Sequence, residues 1–588
     1  MSDETPKVRF TGLRSFVRVS LPDRRTFEAP PGTSIGEVFK VAQPRAPHGN
    51  DQVGAVAAIV NGRLRELTTP LDVDCEAVPV FASESAGLHI YRRSLSFLLL
   101  TAAGEIFPEA VLLIQHAAPT LGGYYCQVRG RQPFSQAELE LIEARMREIV
   151  AADEPISKET VPVAQAIAIF TERGETDTVR LLSHREKGTV RLYGLRGRQD
   201  YFQGYMVPSA GCLKHFALHA FPPGFMLQFP HQNRPGRIGD VTPYPRLFSV
   251  FEEAGDWLDR LGIRSAGALN DAIAAGRLPE VSLVAEALHE SRIASIAAEI
   301  ARQRDRVRVV LIAGPSSSGK TTFSKRLAVQ LLAQGVRPFP VCLDDYFVER
   351  HKTPRDQSGQ LDYECLLALD IGLFNEQLLA LIAGRPVAIP HYNFKTGLRE
   401  TGPNVMLGKD DVIIVEGIHG LNPALVPGLP ADRLYRLYVS ALTQLNLDRH
   451  NRVSTTDSRL IRRLVRDAAT RGYTAADTLQ RWEAVTRSER QLIFPFQEMS
   501  DAIFNSALVH ELAILRPFAE PLLLQVRPGR PEYLEANRLL SFLQWFRSAP
   551  PDPVPDNSIL REFIGGSVLE TFRLWPETRD DGPDPLVR

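Results

Sequence analysis

The sequence predicts a multi-domain α/β protein, its best-marked part a doubly wound parallel sheet carrying a phosphate-binding loop (P-loop). Three observations carry this expectation. A chain of 588 residues is too long for a single hydrophobic core. Residues 307–313 form a β-branched apolar run that leads into Gly314-Pro315-Ser316-Ser317-Ser318-Gly319-Lys320-Thr321-Thr322, and a helical pattern over 323–334 follows, stopped by Gly335. Two later strand-like runs end in acid: 339–343 reaches Asp344-Asp345, and 412–415 reaches Glu416. A carboxylate at a strand's C-terminal end lies on the ligand face of a parallel α/β sheet.

The totals exclude several classes. Hydrophobic residues at 44% and charged residues at 23% fit a globular protein in water, and a net charge of -1 gives no basic field for nucleic acid or membrane. Cys75, Cys126, Cys212, Cys342 and Cys365 show no paired framework, which suits a reducing cytosol. Residues 1–7 lack the apolar core of a signal peptide, and the apolar run near 97–103 is too short to span a bilayer. A cytoplasmic protein with no membrane partner is expected.

The loop residues read as a nucleotide cradle. Gly314 and Gly319 let backbone N–H groups turn inward, and the helix N-terminus adds its positive dipole end. Lys320 would reach the β- and γ-phosphates, and the Thr321 hydroxyl would sit on Mg²⁺. Asp344 could orient and deprotonate an acceptor hydroxyl; a turn aspartate capping a helix is the plainer reading, and it suits Asp345 better. Glu416 stands at the Walker B position, able to hold Mg²⁺ with Thr321, and no N-K-x-D follows, which argues against a GTPase. Arg459, Arg462, Arg463 and Arg466 fall at i, i+3, i+4 and i+7, one helical face. Such a stripe is a solvated surface, a nucleic-acid patch, or a lid over a transferring phosphoryl group.

Elsewhere the chain divides by pattern. Residues 15–84 read as a small mixed α/β unit, with Thr33 and Ser34 capping a helix over 35–41 and Asn61-Gly62 as a tight turn. Residues 86–250 form a second, α+β unit, 251–303 a helical connector, 304–530 the P-loop domain, and 531–588 a C-terminal extension. Prolines between 550 and 555 mark a flexible joint before a short element at 558–566. Cys212, His215 and His219 have a spacing that passes for half a zinc site, but the segment alternates like a strand, so they would not converge.

Residues 305–525 resemble the uridine kinase and phosphoribulokinase family. The motifs are Gly314 to Thr321, Leu343-Asp-Asp-Tyr-Phe347, Ile389-Pro-His-Tyr392-Asn-Phe394, Val415-Glu-Gly417 and Thr456-Asp-Ser-Arg459 to Asp467, in family order. The resemblance implies ATP and Mg²⁺ as cofactors and Asp344 as catalytic base. It puts Lys320, Arg462 and Arg466 on the phosphates, with Arg459 and Arg463 beside the nucleotide. It also places Phe347 and Tyr392 near a nucleoside, and Glu364 where the family has an aspartate gripping ribose hydroxyls. Two positions depart: Gly397 replaces a pyrimidine-reading histidine, and Arg471-Gly472-Tyr473 replaces Arg-Gly-Arg.

The N-terminal half is similar to threonyl-tRNA synthetase. Val60-Asn-Gly-Arg-Leu64, late in a strand, hairpin, helix, strand order, resembles a TGS domain, with another small β-grasp domain as the alternative. Arg93-Ser-Leu-Ser-Phe97, Ile106-Phe-Pro108, Gly122-Gly-Tyr-Tyr125 and Val207-Pro-Ser-Ala-Gly211 resemble the second domain of threonyl- and alanyl-tRNA synthetases. That register puts Arg93, Phe97, Phe202 and Met206 at the family's metal ligands, and none of them is an ordinary zinc ligand. The expected function is an ATP-dependent kinase acting on a small-molecule hydroxyl, a nucleoside first. A sugar-phosphate kinase using His391, Lys395 and Arg399 is the second reading. An RNA-associated regulatory ATP-binding protein is the third, and a homo-oligomer is left open.

Overall fold

Val309–Ala313 is the middle strand of a five-stranded parallel sheet, and its burial on both faces accounts for its unbroken apolar run. The computed structural model describes residues 15–46, 54–118, 122–230, 236–240, 243–355, 359, 361–443 and 445–572. Residues 1–7, read above for a signal peptide, lie outside these, as do 47–53 of the first expected domain and 573–588 of the C-terminal extension. Among the described residues no helix is long and apolar enough to cross a membrane. The chain forms two units: 1–242 with Leu447–Arg452 and Arg527–Arg538, and Pro243–Asn446 with Val453–Val526 and Leu539–Arg588.

The first unit opens with a mixed sheet in the order Thr26–Ala29, Val17–Ser20, Cys75–Val80, Ala57–Val60, Arg63–Glu66, whose central pair is parallel. Ile35–Ala42 covers it, entered through a reciprocal capping box between Ser34 and Glu37. Asn61 and Gly62 both take positive φ, as a two-residue hairpin turn demands, and they join Ala57–Val60 to Arg63–Glu66. The strand Arg63–Glu66 escapes the pattern reading because only Glu66 in it is buried. A 22-residue helix, Ser85–Ile106, then packs in a core with Phe134, Ile142, Phe202 and Phe225. An antiparallel sheet of Ala217–Phe221, Gly224–Gln228, Gly123–Arg129 and Val111–Ala118 completes this part with a three-stranded sheet, Ser157–Pro162, Thr189–Leu195 and Arg198–Tyr201.

In the second unit the parallel sheet runs Pro338–Cys342, Val412–Glu416, Val309–Ala313, Leu434–Ser440, Ala502–Asn505. The chain moves first to one side of the middle strand and later to the other, so the crevice beyond Ala313 is where such sheets bind ligands. The connector is three helices, Pro245–Leu261, Ala266–Ala274 and Leu278–Arg302, separated at Gly262 and Gly276 in left-handed backbone. The last docks on the helix Lys320–Ala333 through Arg326, whose guanidinium meets Glu286 at 3.1 Å and Glu290 at 2.7 Å. The proline segment expected to be a flexible joint is tied down: Ser282 Oγ donates to Pro553 O at 3.0 Å and Ala549 N–H to Ala513 O at 3.1 Å.

Arg326 is buried, so Arg326→Met strands Glu286 without a cation in the interior. Breaking a buried pair this way costs about 3–5 kcal/mol. A thermal-unfolding scan should therefore show the transition of the second unit several degrees lower, and an unmoved transition would contradict this account of the docking.

Candidate active site

The loop and the first turn of Lys320–Ala333 form one structure. Gly319, at φ 81°, is the N-cap, and Ser317 also takes positive φ at 58°. The helix's first N–H groups have no intrahelical partner and face the crevice as donors. Lys320 Nζ donates to Pro315 O at 3.2 Å, folding back over the loop. Thr321 Oγ1 donates to Glu416 Oε1 at 2.8 Å, which joins the two residues expected to hold a metal. Sheet register sets this distance, because Glu416 pairs with Ile312 on one side and Cys342 on the other.

The acids at the strand ends share one crowded field. Burial raises the Glu416 carboxyl above its ordinary range, against the opposing pull of Lys320 and the Thr321 hydrogen bond; Glu562 and Asp344 push it further up. Asp344 stays open to solvent in the turn Leu343–Tyr346, yet protein crowds it enough that desolvation lifts its carboxyl, with Lys320 opposing and Asp345 adding. Asp345 faces elsewhere: its Oδ1 accepts from Tyr392 N–H at 3.2 Å and pairs with His391 Nδ1 at 3.0 Å. Of two adjacent aspartates, one pins a hairpin and the other faces Lys320.

The arginine stripe lies on Thr455–Thr470, but it is not a solvent-facing lid in this structure. Arg459 is 2% exposed and Arg462 0%. Arg459 makes a two-pronged pair with Glu489 at 2.6 and 2.7 Å and donates to Ser316 O at 3.0 Å. Arg462 pairs with Glu511 and donates to Ser506 O at 2.8 Å, with Ser317 O at 3.4 Å. Arg463 donates to Ser316 Oγ at 2.7 Å, and Arg466 lies 3.7 Å from Glu562. All four gather at the loop. The stripe is thus not a solvated surface: guanidinium groups taken out of water require carboxylates, and the chain supplies them.

Phe347, Tyr392, Phe394 and Tyr363 pack ring against ring, Phe347 lying 5.6 Å from both tyrosines. Burial raises the Glu364 carboxyl, with Arg463 and Lys320 pulling it down and Glu489 and Asp344 pushing it up, so it shares the field of the loop and of Asp344. His419, just past Glu416, is 2% exposed, and burial lowers it to about 4, leaving it neutral. Gly397 sits at φ 73° in the turn between Val387–Asn393 and Leu398–Val405. A Cβ there would come within 2.7 Å of the Arg350 side chain, so no histidine fits. Arg350 in turn donates its N–H to Gly397 O at 2.9 Å.

In the first unit, Phe97, Phe202 and Met206 are buried in one core, the two rings 5.4 Å apart, and Arg93 Nη1 donates to Tyr205 O at 2.7 Å. The four expected positions are neighbours filled with packing groups. Cys212 ends a short 3-10 turn rather than lying in a strand, which begins only at Ala217, and it forms no close ligand group with His215 and His219. Among the described residues Glu175, Asp200 and His450 do come together, but Arg173 and Arg198 already neutralise them.

Two regions of the chain match known proteins. Residues 309–513 match the phosphoribulokinase / uridine kinase family. The N-terminal region matches threonine–tRNA ligases: that of Symbiobacterium thermophilum is 32% identical over 207 residues, 35% of this chain and 31% of the relative. That of Methylococcus capsulatus is 32% identical over 34% of this chain and 30% of its own length. The chain thus spans about a third of these relatives. A solved structure described as a possible uridine kinase from Bacillus stearothermophilus is 28% identical, with a TM-score of 0.20, covering 22% of this chain and 70% of that one.

Glu489, Glu562, Tyr363 and His419 escaped the sequence reading; the first two bond loop atoms from far along the chain. The raised Glu416 carboxyl gives a pH test. In the folded state its charged form is disfavoured, so the charge destabilises above the folded pKa and ceases to matter once pH falls below the unfolded value, about 4.3. Glu416→Gln keeps an acceptor for Thr321 and should raise the unfolding midpoint at pH 8, the gain closing towards pH 4. A gain that persists or grows in acid would contradict the burial account.

Proposed function

We propose that this chain is an ATP-dependent, Mg²⁺-requiring kinase that transfers the γ-phosphoryl group to a hydroxyl of a small molecule, a nucleoside being the first candidate. The observation that carries the reading is the convergence of Lys320, Thr321, Glu416 and Asp344 on one loop at the ends of parallel strands. The match of residues 309–513 to a kinase family supports it.

Each residue then has a chemical task. The loop from Gly314 to Thr322 cradles the phosphates through its N–H groups, and Lys320 supplies a point charge to them. The Thr321 hydroxyl and Glu416 carboxylate, 2.8 Å apart, are hard oxygen donors that suit Mg²⁺ and would hold it. Bound there, Mg²⁺ would neutralise phosphate charge. Asp344 accepts the proton of the acceptor hydroxyl; its raised carboxyl makes it a better base than an ordinary aspartate. Arg463 and Arg466 add positive charge beside the loop, while Arg459 and Arg462 hold its carbonyls in place. Glu364 with Phe347 and Tyr392 forms the acceptor wall.

The sugar-phosphate reading needs free cations on the acceptor side. Of its three candidates, His391 is held by Asp345 and Arg399 by Asp370 at 2.9 Å, which leaves the exposed Lys395 alone and favours an uncharged acceptor. For the N-terminal unit we infer a TGS-like domain and a synthetase-type second domain kept for its fold, since Arg93, Phe97, Phe202 and Met206 fill the metal position; the threonine–tRNA ligase relatives support this.

ATP turnover against a panel of nucleosides, sugars and sugar phosphates tests the proposal. Asp344→Asn should lower kcat by about 10²–10⁴-fold, the usual worth of a general base, with ATP affinity nearly unchanged. Full turnover by the variant would remove Asp344 as the base, and turnover confined to phosphorylated sugars would overturn the nucleoside assignment.

A further inference from the structure

The loop's donors are already answered by the chain itself. Glu562 Oε2 accepts from Thr322 N–H at 3.3 Å and from Thr322 Oγ1 at 2.8 Å, and Arg466 lies 3.7 Å from its other oxygen. Thr322 is in the first turn of Lys320–Ala333, so its N–H has no acceptor within the helix and is the kind of donor that binds phosphate in a P-loop. A carboxylate, a helix-terminal amide, a hydroxyl and an arginine are here arranged as a phosphate oxygen would arrange them. Glu562 comes from the helical turn Arg561–Ile564, some 240 residues after Thr322 and beyond the family match, which ends at 513.

The rest of that segment covers the loop sterically. Ile559 Cγ2 lies 2.5 Å from where a Cβ on Gly319 would stand, so the loop's left-handed glycine is roofed by an isoleucine. Phe563 lies under the Arg462 guanidinium, 5.1 Å from ring centre to Cζ, and Lys325 Nζ donates to Leu569 O at 2.6 Å. Ile559, Leu560 and Phe563 are at most 1% exposed. Behind them the segment is also held by polar bonds, Ser558 Oγ to Glu286 and Asn557 Nδ2 to Glu290 at 3.3 Å.

We propose that residues 557–566 are an autoinhibitory strap, with Glu562 occupying an anion position of the phosphate loop, so that ATP binds only as the strap is displaced. The inference rests on the nucleotide-binding reading given above. A triphosphate and Glu562 cannot both take the Thr322 donors, and the two anions would repel beside one another. The strap therefore sets the fraction of molecules open to ATP, and apparent affinity falls by that fraction. The closed arrangement holds Arg466 between Glu562 at 3.7 Å and Asp467 at 3.5 Å, and opening removes the first of these two carboxylates.

The test is calorimetric titration of MgATP into the full-length protein, wild type against Glu562→Gln and, separately, Ile559→Ala, with amide hydrogen exchange followed over 557–566. Both variants should bind ATP about tenfold more tightly, as expected if roughly one molecule in ten is open at rest. ATP should also accelerate exchange in the strap of the wild-type protein. Measurable binding that is equal or weaker in both variants overturns the strap and leaves the nucleotide reading standing. Exchange in 557–566 that slows with ATP also overturns it, since the segment would then be part of the bound site. Binding by none of the three proteins overturns the nucleotide reading and the strap with it.

Discussion

A loop that presents backbone N–H groups towards a crevice must have those donors answered, and this requirement organises the second unit. The groups are held outward by backbone geometry, at Ser317 and Gly319 in left-handed conformation, and cannot turn back into the helix. Glu489 answers Ser316 N–H at 2.7 Å and Glu562 answers Thr322. Each carboxylate then needs a cation where water is scarce, and Arg459 and Arg466 supply it. The arginine stripe, the helix Ala475–Leu492 and the C-terminal turn are thus drawn together by one electrostatic demand.

The same scarcity of water gives the acids their character. Glu364 and Glu416 are each raised by burial and by Asp344, Asp344 is itself raised by desolvation and by Asp345, and Lys320 opposes the rise in all three. Lys320, with Arg463 beside Glu364 and Arg471 beside Asp344, does not bring these acids back to their ordinary range. That imbalance is chemically useful: a base has to be reluctant to hold its charge, and a divalent ion has to find ligands not yet neutralised. Asp345 shows the contrast, because tying its carboxylate to Tyr392 N–H and His391 spends it on holding a hairpin.

What was legible in the sequence was what depends on near neighbours. The strand, glycine turn and helix at 307–334 follow from apolar periodicity and from glycine at two fixed offsets, and the helical phase of Arg459, Arg462, Arg463 and Arg466 was read as one face. Periodicity gives the direction of a face, not what lies against it, so the carboxylates covering that face were invisible. Glu489 meets Ser316 across 173 residues and Glu562 meets Thr322 across 240, separations at which spacing carries no information. The connector's breaks at Gly262 and Gly276 were local signals that the broad apolar pattern concealed.

Gly397 shows how a departure from pattern acquires a physical reason. As sequence it is only a missing histidine. In the fold it is a left-handed turn residue whose missing Cβ leaves room for Arg350, and Arg350 then donates to the carbonyls of Phe394, Lys395 and Gly397, bracing the hairpin that carries Tyr392. Histidine at 397 would require both a strained backbone and the displacement of that arginine, so recognition of the acceptor is not one substitution away from the uridine-reading arrangement. On the proposed reading, selectivity has to come from groups that already line the site: the rings of Phe347, Tyr363 and Tyr392, and a Glu364 whose carboxyl burial raises. Apolar faces beside an acid that can donate or accept a proton favour a flat, uncharged ring bearing hydroxyls over a second phosphate, which Glu364 and Asp344 would repel.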